Sequence, residues 1–232
     1  MKYAIKFMIA LVLITSSVNA GVYLLSETPE GFINVIKQNQ AVISKELNHI
    51  NNQAQNKNYL FQPAQFSPHL SLAFVSQDQI NIEQTKEKYP RFIDELRNIA
   101  AQSKAIDITQ SVDQMSIDYW QGKFEIEYDG VKKKNYLNVV LKLANNPELI
   151  KLANRIGDLL KEKYQIEQRF PFGAHFTLGR ICEQNDDQST TDLGKMLSNK
   201  EKLVDTFVGS ILLDSFVLKG HDGSEEIFKL QN

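Results

Sequence analysis

Residues 66–72 read Phe-Ser-Pro-His-Leu-Ser-Leu, and residues 172–178 read Phe-Gly-Ala-His-Phe-Thr-Leu. Both fit the pattern Phe-x-x-His-x-Ser/Thr-Leu, and 106 positions separate His69 from His175. Each copy lies in a strand-like stretch that is followed, directly or after a loop, by a helical one. Side chains alternate across a strand. His69 and Ser71 are therefore expected on one face, as are His175 and Thr177, with Phe176 and Leu178 turned into apolar packing. The pattern reads as a duplicated half-domain, each half offering an imidazole beside a hydroxyl.

The elements around the two copies alternate between helix and strand. Val22 to Leu25 is a strand candidate, and Thr28-Pro29 reads as a helix start. Phe32, Ile36, Ile43, Leu47 and Ile50 recur near helical spacing and predict a helix over about 30–51. A polar Asn/Gln stretch reads as a loop, and Gln65 to Ser76 as a strand. Residues of about 81–102 are expected to be helical, with Pro90 interrupting or restarting the helix. Ile106 and Ile108 suggest a strand. Phe124, Ile126 and Tyr128 alternate with charged residues, Asp129-Gly130 supplies a turn, and a return strand runs through Leu137, Val139, Leu141 and Leu143. Asn146 and Pro147 open a helix whose buried stripe is Leu149, Leu152, Ala153, Ile156, Leu159 and Leu160. Gly173 to Ile181 reads as a strand. A helix near 191–204 and strands near 210–219 and 226–230 complete the chain. No Pro-, Gly- or Ser-rich linker divides it, so an α+β fold in one unit of two lobes is expected over residues 21–232.

The 232 residues carry 42% hydrophobic and 23% charged side chains, the balance of a folded soluble protein. With 26 basic against 28 acidic residues, no positive excess drives binding to long duplex nucleic acid. A short oligonucleotide or small phosphoester in a local pocket is compatible with that balance. Cys182 is the one cysteine, which excludes an intramolecular disulfide and a Cys-rich zinc site. Lys2 and Lys6 precede an apolar run from about Phe7 to Ile14. Val18 and Ala20 then stand at the −3 and −1 positions before Gly21. Residues 1–20 thus read as a signal peptide, its apolar run short for a bilayer span, which needs about 20 apolar residues. Its removal leaves 24 basic and 28 acidic residues. An exported protein is expected, periplasmic or secreted, monomeric and without stable membrane insertion.

His69-Leu70-Ser71-Leu72 and His175-Phe176-Thr177-Leu178 resemble the paired His-x-Ser/Thr-x tetrapeptides of the 2H phosphoesterase superfamily. That group includes the LigT-like RNA 2′,3′-cyclic phosphodiesterases and the 2′-5′ RNA ligase family. Pro68 before the first copy and Arg180 after the second extend the resemblance; Ser71 stands where Thr is more usual. The resemblance implies a bilobal α+β fold with antiparallel sheets lining a central cleft and helices outside. It also implies a phosphodiesterase that needs no metal or other cofactor and acts on a nucleotide or short RNA.

The residue types suit that chemistry. Hydrolysis of a phosphodiester removes a proton from the attacking water and delivers one to the leaving oxygen. Two histidines with pKa near 6.5 can divide those tasks at neutral pH, which makes His69 and His175 the catalytic candidates. The hydroxyls of Ser71 and Thr177 can donate to phosphoryl oxygens. Two imidazoles without nearby carboxylates would hold a metal poorly. Phe66, Phe172 and Trp120 are candidates for stacking on a base, with core packing the alternative for each; Tyr119 is weighed in the same way. Arg180 is expected on the strand face opposite His175, in a structural ion pair rather than the alternative phosphate contact. Lys132-Lys133-Lys134 reads as a solvated tip, His49 and His221 as surface residues, and Cys182 as a packed side chain. The competing functional reading is a module on the same fold that binds nucleotides or RNA ends without turnover.

Overall fold

The computed structural model describes residues 21–25, 30–53, 58–64, 69–74, 90–122, 125–128, 131–168, 171–183, 193, 197, 209–219 and 225–232. The first twenty residues, Phe66, His221 and most of 191–204 lie outside the described residues.

Two four-stranded antiparallel sheets form the frame. The first has the order β12-β11-β1-β3, from β1 (Gly21–Leu25), β3 (Leu70–Phe74), β11 (Ser215–Lys219) and β12 (Glu225–Lys229). The second has the order β2-β9-β8-β5, from β2 (Tyr59–Pro63), β5 (Ser116–Gln121), β8 (Tyr136–Lys142) and β9 (His175–Glu183). The chain changes sheet between β1 and β2, between β2 and β3, and again on either side of the β5–β9 segment. The α+β class expected from the sequence is thus the class observed.

Helix α1 (Glu30–Gln53) carries Phe32, Val35, Ile36, Ile43, Leu47 and Ile50 on its buried face, the three-and-four spacing of an amphipathic helix. That face packs on β2 and β9, and the Phe32 ring meets Phe176 of β9 edge-on at 5.0 Å. Helix α2 (Phe92–Ala101) begins after Pro90, which stands in a turn, and packs on β12. A short helix, α3 (Thr109–Asp113), follows β4 (Ile106–Asp107). Helix α4 (Pro147–Asp158) packs on β3. Its start matches the sequence reading: the Asn146 side chain accepts the Leu149 N–H at 3.0 Å, and Pro147 fills the first turn. The helix continues as a wider π turn over Leu159–Lys163 and stops where Gln165 adopts a φ of 55°. Lys163 and Tyr164 then both reach Glu95, which ties the end of this segment to α2. α1 and α4 therefore each cover a motif strand, and one apolar core runs through both sheets.

Several sequence expectations change. The polar stretch after α1 gives way to a strand, β2, because Tyr59 is buried and pairs along β9. Ile108 caps α3 and is not part of a strand. The hairpin is a short ribbon of β6 (Ile126–Tyr128) and β7 (Val131–Lys133), paired from Ile126↔Lys133 to Tyr128↔Val131; the expected Asp129-Gly130 turn lies outside the described residues. Its expected return strand is instead β8, which lies between β5 and β9; its Leu137, Val139 and Leu141 are fully buried, and burial there outweighs local hairpin pairing. Near 210–219 the chain forms β10 (Leu212–Leu213), paired with β4, and then β11. Among the described residues, no helix is long and apolar enough to cross a membrane.

The Asn146 cap gives a direct test of this assignment. Asn146→Ala should lower the unfolding free energy by about 1 kcal/mol in urea titration, without changing the m-value.

Candidate functional site

The second half of each repeat lies in a strand, Leu70–Leu72 in β3 and His175–Leu178 in β9, and both strands carry the same irregularity. β9 pairs with β8 as His175↔Lys142, Phe176↔Leu141 and Thr177↔Val140, and then resumes at Gly179↔Val139. Leu178 is the extra residue. β3 pairs with β1 as Leu70↔Leu24 and Ser71↔Tyr23, then resumes at Ala73↔Val22. There Leu72 is the extra residue, at the same position of the repeat. Both leucines are fully buried, as are Leu70 and Phe176. His69, Ser71, His175 and Thr177 are all half-buried. The alternation expected from the sequence is present in both copies.

The two strands belong to different sheets, yet they are neighbours, with Cα pairs of β3 and β9 within 8 Å. β2 runs beside β9 only from Gly179 to Glu183, so it does not cover the His175–Leu178 stretch. At the end of that stretch the Leu178 carbonyl accepts both the Ala64 N–H and the Gln40 side-chain amide, each at 2.8 Å. Those two bonds satisfy the main chain where the extra residue interrupts the ladder.

The bulge also corrects the expectation for Arg180. An extra residue shifts the facing pattern by one. Arg180 pairs with Asn138, which shares a strand face with Val140, the partner of Thr177. Arg180 therefore stands on the same face as His175 and Thr177, not on the opposite one. Its guanidinium lies 5.8 Å from the centre of the Tyr136 ring, and among the described residues it makes no ion pair with a carboxylate. Trp120 pairs with Asn138 from the other side and belongs to this face too. The sequence contained one signal for the shift. Gly179 sits inside a strand, where glycine often marks a bulge or a close backbone approach. A Cβ at Gly179 would come closer than 3.0 Å to the Gln62 carbonyl oxygen and the Phe61 ring.

His175 is held on two sides. Its Nδ1 is 2.6 Å from the Gly173 carbonyl oxygen. A carbonyl can only accept, so Nδ1 carries the hydrogen and Nε2 of the neutral ring keeps its lone pair. The Trp120 ring meets the imidazole edge-on, with centroids 4.5 Å apart and planes at 66°. Burial pushes the His175 pKa below its ordinary value of 6.5, against the opposing pull of the Gly173 bond. The ring is thus predominantly neutral at pH 7 and suited to accept a proton through Nε2.

The other candidates separate. His69 immediately precedes β3. Phe172 packs against the core, as does Tyr119, whose phenol burial pushes up to about 12. Lys132 and Lys134 are exposed, with Lys132 paired to Glu125 at 3.0 Å, whereas Lys133 is buried and so departs from the expected solvated tip. Its position in the β6–β7 ribbon turns alternate side chains inward. His49 is exposed, and Cys182 is buried and free, as expected. Asp118, which accepts the Trp120 indole N–H at 3.0 Å, was not singled out by the sequence.

No family model and no curated protein matches the sequence. Among solved structures, Kluyveromyces marxianus Usb1 superposes with a TM-score of 0.55 at 15% identity, over 90% of this chain and 96% of that one. The structure of the same protein with uridine monophosphate gives 0.54 at 13% identity, over 90% and 97%. The chain has the fold of Usb1. At such low identity the likeness is one of architecture, and its coverage extends it over the whole fold rather than one sheet.

The lowered pKa of His175 can be tested by NMR titration of the imidazoles. His175 should titrate with a midpoint below 6.5. Because the folded value is depressed, its contribution to stability is present above pH 6.5 and is lost as the pH falls through the folded pKa. A His175 midpoint at or above 6.5 would contradict the burial described here.

Proposed function

We propose that this protein is a 2H-type phosphodiesterase that hydrolyses 2′,3′-cyclic or 2′,5′-linked phosphodiesters of nucleotides or short RNAs. The observation that carries this reading is the matched pair of bulged strands. β9 carries His175 and Thr177, β3 carries Ser71 with His69 just before it, and the fold sets the two strands beside each other. In this reading the two sheets form two lobes around a cleft, and the phosphorus centre sits between the imidazoles. One ring takes a proton from the attacking water as the P–O bond forms. The other donates a proton to the departing 2′ or 3′ oxygen, and the product from a cyclic substrate is a terminal phosphomonoester. The neutral Nε2 of His175 suits the accepting part, which leaves the donating part to His69. Ser71 and Thr177 donate hydrogen bonds to the non-bridging oxygens. No metal or other cofactor takes part, and the enzyme works as a monomer.

Support comes from the chemistry of the four side chains, from the duplicated pattern and from the Usb1 fold. One of the Usb1 structures was solved with uridine monophosphate, so a uridine nucleotide is the natural first ligand to try. The deciding assay is hydrolysis of 2′,3′-cyclic nucleotides, 2′,5′-oligoadenylates and cyclic-phosphate-ended RNAs in EDTA. Wild type should be active in EDTA. His69→Ala and His175→Ala should each lose about 10²–10⁴ in kcat with folding intact. Ser71→Ala and Thr177→Ala should lose less. Binding of these nucleotides without turnover would replace this reading with that of a binding module. A strict requirement for added divalent metal would overturn the mechanism.

The same proposal places the mature enzyme outside the cytoplasm, after removal of residues 1–20. Expression with the native N-terminus in a bacterial host should yield an exported product that starts at Gly21 by N-terminal sequencing. Recovery of only the intact chain, in the cytosol, would refute export.

A further inference from the structure

β5 carries the chain's one tryptophan, and its indole is anchored to its own strand. The Nε1–H donates to one Asp118 carboxylate oxygen at 3.0 Å, while the other oxygen accepts the Tyr119 backbone N–H at 2.9 Å. From there the indole reaches across β8 to the imidazole of His175 on β9, centroid to centroid 4.5 Å. It also lies over the turn before β9, where a Cβ on Gly173 would be 3.9 Å from the indole Cη2. That is the residue whose carbonyl holds His175 Nδ1. A histidine ring has a broad, roughly two-fold freedom about χ2. Here one contact fixes a nitrogen and another fixes the ring plane.

We propose that Trp120, tethered by Asp118, is the positioning residue of His175: it packs the imidazole against the Gly173 carbonyl in the orientation that leaves Nε2 as the nitrogen presented to a ligand. This deepens the phosphodiesterase reading and rests on it for the role of His175. It differs from the stacking role that an exposed aromatic near a nucleotide site suggests, because the indole is already engaged with a protein ring. The charged or titratable groups that share this face are Lys142, the cross-strand partner of His175, Asp118 on β5 and Arg180 farther along β9; the neighbouring strand β3 is preceded by His69. The lowered pKa of His175 agrees with an indole that keeps water from the ring.

The single indole makes the contact measurable without any substrate. With selective indole excitation, wild-type emission should fall on acidification in one transition below pH 6.5, as the neighbouring imidazole gains its proton. The transition should vanish in His175→Ala, persist in His69→Ala and shrink in Asp118→Ala. In the cyclic-nucleotide assay, Trp120→Ala and Asp118→Ala should lower kcat by about 10–100-fold with little change in KM. Trp120→Phe, which keeps an aromatic ring at this position but lacks the N–H that Asp118 holds, should lose about as much kcat as Asp118→Ala, and it keeps the test intact if the alanine variant fails to fold. An emission transition that survives in His175→Ala would overturn the proposal. So would a rise in KM at unchanged kcat, which would make the indole a substrate platform. If the wild type proves inactive on every phosphodiester, the emission titration still decides the contact, so failure of the function reading and failure of the positioning role are distinguishable.

Discussion

A strand that carries one residue more than its partner must change which of its side chains share a face. Leu72 and Leu178 impose that change at the same point of two repeats, and the surrounding site depends on it. Before the bulge, the imidazole and hydroxyl of each repeat face one way while the apolar residues between them are buried. After it, the order is reset, and on β9 the reset brings Arg180 to the side of His175. The leucines are the anchor. Both are fully buried, so sliding either strand by one residue would expose a leucine and bury polar groups, at a cost of several kcal/mol.

The helices make that arrangement stiff. α1 follows a strand of the first sheet but packs on β2 and β9 of the second, and Phe32 stacks edge-on against Phe176. α4 follows a strand of the second sheet but packs on β3 of the first. Each repeat is thus backed by a helix that adjoins the other sheet's strands in sequence. Side chains that must meet a substrate within a few tenths of an ångström are better held on such supported strands than on loops.

The sequence made much of this legible because period and punctuation agree locally. The α1 face, the Asn146-Pro147 helix start and the alternation around His175 all follow from spacing and cap chemistry that act within a few residues. The misreadings occur where distant partners decide. β2 forms because β9 is there to pair with it. β8 turns away from β6 because three buried residues favour the sheet between β5 and β9. Arg180 was misplaced because strict alternation carries no information about an inserted residue, although Gly179 hinted at one. The contact between Trp120 and His175 spans 55 positions and three strands, and no local pattern encodes it.

The order of the first sheet has a bearing on how the chain is made. β1, the earliest strand, is sandwiched between β3 and β11, and β11 begins only at Ser215. During synthesis β3 can pair with β1 early, but the first sheet is completed only after β11 has been made. Pairings so remote along the chain are slow to form. The second sheet, by contrast, has all four of its strands by Glu183, so the two halves of the frame are completed at different points of synthesis.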